Sequence, residues 1–336
     1  MPDPIVIGAG PAGLATAAAL RRLGVGVRLV DREGAVGGAY ARMDPELVMT
    51  SPARLVSLPG LAFAAAGPYG TAREYHAYLR RYAELHRLVP GTAVVETVVG
   101  ERGHYRIETA RETLEASAVI VATGMFDFPV VPSLPGAPSI PTIHAQRWRS
   151  ELATAGTQVI VVGGASSAIE IAEACAARGC AVTVATRRIS IGPAKVLGVD
   201  PAYAVFPVLA RTRPRRFCAG ELTVPGVDRG FRAACRRGAI ALRREPVRID
   251  GARVTFADAT HADADLVVFA TGYRHAAPFL PAALARTANG NPRCEHAESV
   301  THRGIWFVGT PCARSAASQY LYGIARDAPV VAERVA

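Results

Sequence analysis

Two stretches of this chain follow one plan, and the plan leaves few folds open. Ile5 to Ile7 is a short apolar run suited to a buried parallel strand. Gly8, Gly10 and Gly13 follow as G-x-G-x-x-G, with Pro11 and Ala12 inside the motif. An Ala/Leu-rich helix then reaches Leu23, Gly24 ends it, and Val25 to Val30 reads as a second strand closing on Asp31. The first glycine permits a tight turn, and the second lets the backbone approach a pyrophosphate. The third lets helix and strand pack closely, while the helix N-terminus offers N–H groups and positive dipole. Asp31 stands 18 positions after Gly13, where an acid can bind ribose hydroxyls. A lone glycine triplet is a weak signal; strand, triplet, helix and terminal acid together are a strong one.

The second stretch runs from Val159 to Arg188. Val159 to Val162 is the strand, Gly163-Gly164-Ala165-Ser166-Ser167-Ala168 the turn, and a helix continues to about Arg178. Gly179 ends that helix, and Ala181 to Ala185 is the next strand. Ala165 occupies the second glycine position and Ala168 the third, so a dinucleotide here is expected to sit slightly further off. Ser166 and Ser167 either cap the helix or donate to phosphate. Thr186, Arg187 and Arg188 replace the terminal acid. An acid would repel a 2′-phosphate whereas guanidinium groups pair with it, so this cradle reads as preferring NADPH to NADH. The plainer alternative is a pair of solvent-exposed arginines after a strand.

Two further turns mark the organisation. VIVATG ends in Ala122, Thr123 and Gly124, and LVVFATG ends in Ala270, Thr271 and Gly272. They lie about 150 residues apart, as do the two cradles. Such turns are where a chain passes from one nucleotide domain to the other. The expected fold is α/β, with two Rossmann-like (three-layer ββα) dinucleotide-binding domains. The NADPH domain (146–273) is inserted in the first domain (1–145 and 274–336). That first domain ends in the strand of GIWFVGTP with Gly309, then a helix from about Gln319.

Bulk properties narrow the function. The 336 residues suit two domains of ordinary size. The formal charge is +10 and the pI about 9.7, which raises the question of nucleic acid. The basic residues are nearly all arginine, Lys195 being the exception, and they are scattered apart from Arg211 to Arg216. With no interleaved aromatics, this reads as a solvated surface that also suits an anionic dinucleotide. Cys175, Cys180, Cys218, Cys235, Cys294 and Cys312 form neither C-x-x-C nor zinc-finger spacing, so reduced thiols and no metal are expected. The N-terminus lacks a basic n-region and no long apolar run follows, so the expectation is a cytoplasmic protein without a membrane partner.

With these motifs together, the chain resembles the two-dinucleotide-binding flavoproteins, and most closely the flavin-containing monooxygenases (class B). GAGPAG with Asp31 and Arg32 is similar to that family's FAD cradle. Gly37-Gly38-Ala39-Tyr40 is similar to its Gly-Gly-small-aromatic turn, and GGASSA with Arg187 to its NADPH cradle. The spaced prolines of ATGMFDFPVVPSLPG and the closing WFVGTPCARSAASQYLYGIARDA match its pattern as well. Two features depart from it. The fingerprint F-x-G-x-x-x-H-x-x-x-W/Y survives only as His144 and Trp148, which read equally as a packed hinge pair. Thr50 and Ser51 stand where an asparagine often lies beside the flavin.

The resemblance implies FAD on Gly8 to Gly13, Asp31 and the Ala122–Gly124 turn. The flavin ring would lie near Gly38, Ala39, Tyr40, Ser51, Pro52, Gly309 and a helix start at Ser318–Gln319. NADPH would lie on Gly163 to Ser167, Arg187, Arg188 and Ala270–Gly272. It implies hydride transfer from NADPH to FAD, then O2 activation as a flavin hydroperoxide. The product would be an oxygenated small nucleophile (N or S) or carbonyl compound. Ser51 is the candidate hydrogen-bonder at the reacting face, and Tyr203, Phe206 and Phe217 either line a substrate pocket or pack an irregular loop region. A homodimer is admitted. The alternatives are an NADPH-dependent disulfide or ferredoxin reductase without oxygenation, and a nucleotide redox sensor.

Overall fold

The computed structural model describes residues 1–193, 195–212 and 224–336; Phe217, Cys218 and Arg213 to Arg216 lie outside them. The chain builds two large sheets, one mixed and one all parallel. The first carries seven strands in the order Cys294–Glu295, Glu298–Ser299, Ile305–Phe307, Val119–Val121, Ile5–Ile7 (β1), Arg28–Asp31 (β2) and Gly91–Thr92. Its five strands from Ile305–Phe307 onward are parallel, and the outer pair is antiparallel. The second is all parallel: Thr142–His144, Leu266–Phe269, Gln158–Val162, Ala181–Ala185 and Ile240–Arg243. Its strands fall in sequence between two groups of strands of the first sheet.

The central strands are apolar throughout because helices and meanders cover both faces. β1 and Val119–Val121 are buried along their whole length. Helix α1 (Pro11–Arg22) buries Ala12 to Leu20 between the sheet and the C-terminal helix Leu321–Val335. Helix α2 (Ala72–Leu85) starts at a capping box in which Thr71 and Glu74 satisfy each other's backbone N–H. Its Tyr75, Tyr78 and Tyr82 hydroxyls donate to the carbonyls of Val56, Leu61 and Pro59, at 2.9, 2.8 and 3.0 Å. That ladder ties down the loop following the strand Val48–Pro52.

Both cradles rest on the same close approach. Gly8 has φ +107°, and a Cβ there would lie 2.6 Å from the Ala122 carbonyl oxygen. Gly163 has φ +137°, and a Cβ would lie 2.3 Å from the Ala270 carbonyl oxygen. Each first glycine is thus pressed against one of the two Ala-Thr-Gly turns.

Several boundaries differ from the sequence reading. The second strand begins at Arg28 rather than Val25, because Val25 N–H donates to the Leu20 carbonyl and closes the helix end instead. Helix α3 (Ser166–Ala177) begins inside the stretch read as a turn. The last helix begins at Leu321, because Ser318 Oγ accepts from the N–H groups of Arg314 and Ser315 and holds a preceding turn. Within 189–235, expected to be irregular, lie the helices Ala202–Arg211 and Phe231–Arg236 and a parallel pair, Ile191–Pro193 with Gly226–Asp228. Pro207 inside the first of these helices obscures its pattern in the sequence. No helix among the described residues is long and apolar enough to cross a membrane.

Candidate cofactor and substrate site

A cavity of about 1650 Å³ runs between the two sheets, and both cradles open into it. From the first cradle it takes Gly8, Gly10, Pro11 and Ala12; from the second, Gly163, Gly164, Ala165, Ser166 and Ser167. Both Ala-Thr-Gly turns line it, as do Gly38, Ala39, Tyr40, Ser51, Gly309 and Gln319. Gly13, Pro52, Ser318 and Arg188 do not. Gly13 is consumed by packing: a Cβ there would lie 1.8 Å from the Gly8 carbonyl oxygen. Ser318 is fully buried in the turn described above, so its hydroxyl is not offered to a ligand.

Asp31 ends β2 beside the glycine turn. Its Oδ2 accepts from Ala9 N–H and its Oδ1 from Glu33 N–H, both at 2.9 Å. These two bonds fix the carboxylate's plane and leave further lone pairs on each oxygen. Beyond it, Asp127 Oδ1 accepts from Arg32 Nη2 at 2.7 Å and Arg42 Nη2 at 2.8 Å. Arg42 Nη1 also donates to Glu33 Oε1 at 2.6 Å. All four residues line the cavity. Only Arg32 was legible beforehand; Glu33 follows it directly, but Arg42 and Asp127 come from segments further along the chain, with no motif to join them.

At the second cradle, of the two roles open to Ser166 and Ser167, helix capping is not taken. Ala165 is the N-cap and no side chain caps the helix. Ser166 Oγ instead donates to Glu170 Oε1 at 3.0 Å, and Ser166 N–H donates to the Val224 carbonyl. Glu170, one turn into α3, touches the cavity and is otherwise enclosed by protein; burial pushes its carboxyl up to about 7. Nothing in the sequence distinguishes it from a solvated helix residue. Arg187 is exposed and lines the cavity, whereas Arg188 is exposed outside the lining. The tight turn in which Thr186 Oγ1 donates to the Arg188 carbonyl sends the two side chains apart.

The two units are tied by specific bonds. Arg229 donates to the Met49 carbonyl and lies over the Tyr69 ring, 4.4 Å from its centroid. Thr271 Oγ1 donates to the Val130 carbonyl, and Val130 N–H donates to Gly272 at 2.9 Å. His144 Nδ1 accepts from Gln146 N–H, so its Nε2 carries the proton donated to the Gly272 carbonyl at 3.1 Å. Burial lowers its pKa, in keeping with that neutral tautomer. Trp148 is buried in the second unit's core with one edge on the cavity. His144 therefore serves as a packed junction residue. Phe206 packs on Tyr320 and Tyr322, and neither it nor the half-exposed Tyr203 reaches the cavity.

The lining carries polar atoms that protein does not satisfy. Thr123 Oγ1, His275 Nδ1 and Gln319 Nε2 are enclosed and find no partner among the described residues. All three belong to lining residues; Thr123 follows the strand Val119–Val121, and His275 is bonded to Thr310, which follows Ile305–Phe307. His275 Nε2 shares a hydrogen with Thr310 Oγ1 at 3.1 Å, and burial, aided by Arg286, pulls its pKa down to about 4. A long polar ligand with ring nitrogens and carbonyls, such as a flavin nucleotide, fits these unmet groups and the glycine-floored cradle. Cys312 also lines the cavity and is disulfide-bonded, which corrects the expectation of reduced thiols throughout. Cys175, Cys180, Cys235 and Cys294 are free.

The sequence profile of pyridine nucleotide-disulphide oxidoreductases matches residues 5–309. A flavin-containing monooxygenase from Stenotrophomonas maltophilia superposes with a TM-score of 0.82 at 25% identity, covering 100% of this chain and 98% of that one. The bacillithiol disulfide reductase Bdr (YpdA) from Bacillus cereus superposes with a TM-score of 0.77 at 20% identity, over 99% and 98% of the two chains. Among curated sequences, the probable indole-3-pyruvate monooxygenase YUCCA1 of Arabidopsis thaliana is 27% identical over 82% of this chain and 76% of its own. The fold is the two-domain Rossmann-type architecture of flavoprotein monooxygenases.

Proposed function

The chain belongs to the pyridine nucleotide-disulphide oxidoreductase family, and on that premise we propose that it is an FAD- and NADPH-dependent monooxygenase of small nucleophilic (N or S) or carbonyl substrates. The family and its monooxygenase relatives imply both cofactors. The observation that carries the reading is one continuous cavity lined by two glycine cradles; two dinucleotides bound on them would meet within it.

In this reading residues 1–145 and 274–336 form the FAD domain and 146–273 the NADPH domain. Gly8, Gly10 and the α1 N-terminus would receive the FAD pyrophosphate, Asp31 a ribose, and Thr123, His275 and Gln319 the polar atoms of the ribityl and ring portion. Gly163, Gly164 and the α3 N-terminus would receive the NADPH pyrophosphate, and Arg187 the 2′-phosphate. Bound flavin supplies two-electron chemistry with nicotinamide and with O2. The chain would orient both nucleotides along the cavity. Tyr40 walls that point: its ring packs on Tyr75 at 4.7 Å, and burial raises its phenol well above the usual range, keeping it a neutral donor. Ser51, on the same wall, is the proposed hydrogen-bonder to substrate oxygen.

The test begins with colour: purified protein should carry flavin, and anaerobic NADPH should bleach it much faster than NADH. On admitting O2, NADPH consumption should yield oxygenated product from an amine, sulfide or ketone panel. Hydrogen peroxide as the sole product with every substrate would sink the oxygenase reading. One observation favours the runner-up, a reductase without oxygenation: the disulfide-bonded Cys312 lines the same cavity. In that case anaerobic NADPH should expose two new thiols per chain, and Cys312→Ser should abolish turnover with a disulfide substrate.

A further inference from the structure

The helix Ala202–Arg211 is apolar on both sides. Inward, Phe206 packs on Tyr320 and Tyr322, with ring centroids 5.1 and 5.7 Å apart. Outward, Ala204 and Val208, about half a turn round from Phe206, are exposed, and so is Val205. No charged residue interrupts the stretch from Ala202 to Ala210. A helix without a polar face normally has both sides covered; here one is open. The chain just before it makes a turn of unusual composition. Val196 and Val199 exchange backbone hydrogen bonds at 2.8 and 3.0 Å and close a two-residue turn of Leu197 and Gly198. Both have left-handed backbones, with φ +50° and +81°. Asparagine or aspartate followed by glycine is the usual choice for such a turn. Leucine stands there instead, wholly exposed, between the exposed Val196 and Val199. The tip projects freely: beyond its chain neighbours, a Cβ at Gly198 would meet no described atom within 4 Å.

Charge is arranged around these side chains. Lys195 and Arg211 are exposed at the two ends of the segment. Asp200 is the one acid between them. It is turned inward, accepting from the Tyr69 hydroxyl and, at 2.8 Å, from Ala202 N–H. The chain as a whole carries a formal charge of +10. A protruding apolar finger needs a matching pocket in a protein partner, but none in a bilayer, whose lipids part around it. Cations at the finger's edges match anionic headgroups. We propose that the Lys195–Val199 tip and the outer face of Ala202–Arg211 dock on an anionic lipid surface. Leu197, its flanking valines and Val208 enter the acyl boundary, while Lys195 and Arg211 stay with the headgroup phosphates. The expectation of no membrane partner rested on the lack of a spanning run; a contact of this kind lies in the interface and needs none. Phe206 covers Tyr320, which lines the cavity, so docking sets that cavity one helix away from the lipid.

The experiment is flotation of the full chain, as purified, with vesicles of phosphatidylglycerol and phosphatidylcholine in equal parts, beside vesicles of phosphatidylcholine alone. The protein should float with the first and bind the second at least about tenfold more weakly, because the two cations lose their partners there. Leu197→Asn suits the turn, so its thermal midpoint should hold or rise while its affinity for the mixed vesicles falls about tenfold. Val208→Gln, on the exposed face, should weaken binding as well and leave the far-UV circular dichroism unchanged. Absence of binding to the mixed vesicles overturns the proposal. So does binding that Leu197→Asn leaves unchanged, which would belong to the scattered arginines instead. Sedimentation velocity covers the rival occupant. A concentration-dependent dimer that Leu197→Asn dissociates, with vesicles left unbound, gives this face to a second copy of the chain and overturns the lipid reading.

Discussion

The two cradles share a backbone and differ in what stands around it. In the first, Gly8 N–H donates to Val30 and Asp31 follows; in the second, Gly163 N–H donates to Ala185 and Thr186 follows. Thr186 is therefore the counterpart of Asp31, and Arg187 that of Arg32. The two arginines have opposite fates. Arg32 is paired with Asp127 and Glu33, whereas Arg187 is exposed and makes no ion pair among the described residues. One cradle turns its charge inward, on itself; the other leaves a guanidinium at the cavity for an anionic group. In the proposed reading, the same topology acquires two ligand preferences through the two residues after a strand.

The deepest contrast lies at the third motif position, glycine in one cradle and alanine in the other. A Cβ at Gly13 would lie 1.8 Å from the Gly8 carbonyl oxygen, a backbone atom that cannot swing away. Gly13→Ala should cost about 3 kcal/mol or more and leave the protein without flavin or unfolded, as denaturant titration and the visible spectrum would record. Ala168 already holds a buried methyl there, so Ala168→Gly should cost only about 1 kcal/mol. Equal effects at the two positions would mean that the cradles pack alike.

Next come the segments that leave the two Ala-Thr-Gly turns. The first runs to Val130, which bonds Thr271 and Gly272 on the second unit. The second runs back into the first unit and buries His275 against Thr310. His275 has its pKa depressed from 6.5 to about 4, so its folded form resists protonation. Above pH 6.5 it is neutral folded or unfolded and costs nothing. As pH falls below 6.5 the unfolded state takes up the proton first, and stability should fall by up to about 3 kcal/mol by pH 4. Urea unfolding of wild type and His275→Gln at neutral and acid pH should show the shallower loss in the variant. A parallel loss in both would assign the acid lability elsewhere.

How much of this was readable in the sequence follows from how local each feature is. Both cradles, both Ala-Thr-Gly turns and their strands are contiguous motifs whose geometry is set by glycines and apolar runs, and they lie where the motifs put them. Asp31 was readable because it follows its strand directly. The Arg32–Asp127–Arg42 cluster was not, since its members come together only when three segments meet. Glu170 and His275 carry no motif; enclosure makes them chemically distinctive, and enclosure is a property of the folded chain. The helix Ala202–Arg211 was hidden by its own proline.

The acid itself offers a cleaner exchange between cradles. Asp31→Asn removes the charge from the bond with Ala9 N–H, at 2.9 Å, and from any ribose contact. Flavin should be held about tenfold to a hundredfold more weakly, the loss of about 1.5–3 kcal/mol expected for a hydrogen bond to a charged group. The reverse change, Thr186→Asp, puts an acid beside the phosphate expected in the second cradle. It should weaken NADPH and improve NADH as reductants of the flavin, read as anaerobic bleaching rates. If NADPH and NADH respond alike, Thr186 does not face the 2′ position.

The smallest effect tests the arginines one at a time. Arg187 lines the cavity and Arg188 does not, although both follow the same strand. Arg187→Ala should raise the NADPH dissociation constant about fivefold to tenfold and leave that of NADH unchanged. This is less than a buried charge-assisted bond gives, because the side chain is exposed and solvent screens it. Arg188→Ala should change either constant by less than about twofold, a surface substitution away from the ligand. Raising the salt concentration should shrink the Arg187 effect and leave the NADH values where they are. If Arg188→Ala proves the costlier change, the turn after Ala185 presents the other guanidinium to the nucleotide. The contrast with Arg32 would then rest on Arg188 rather than on its structural counterpart.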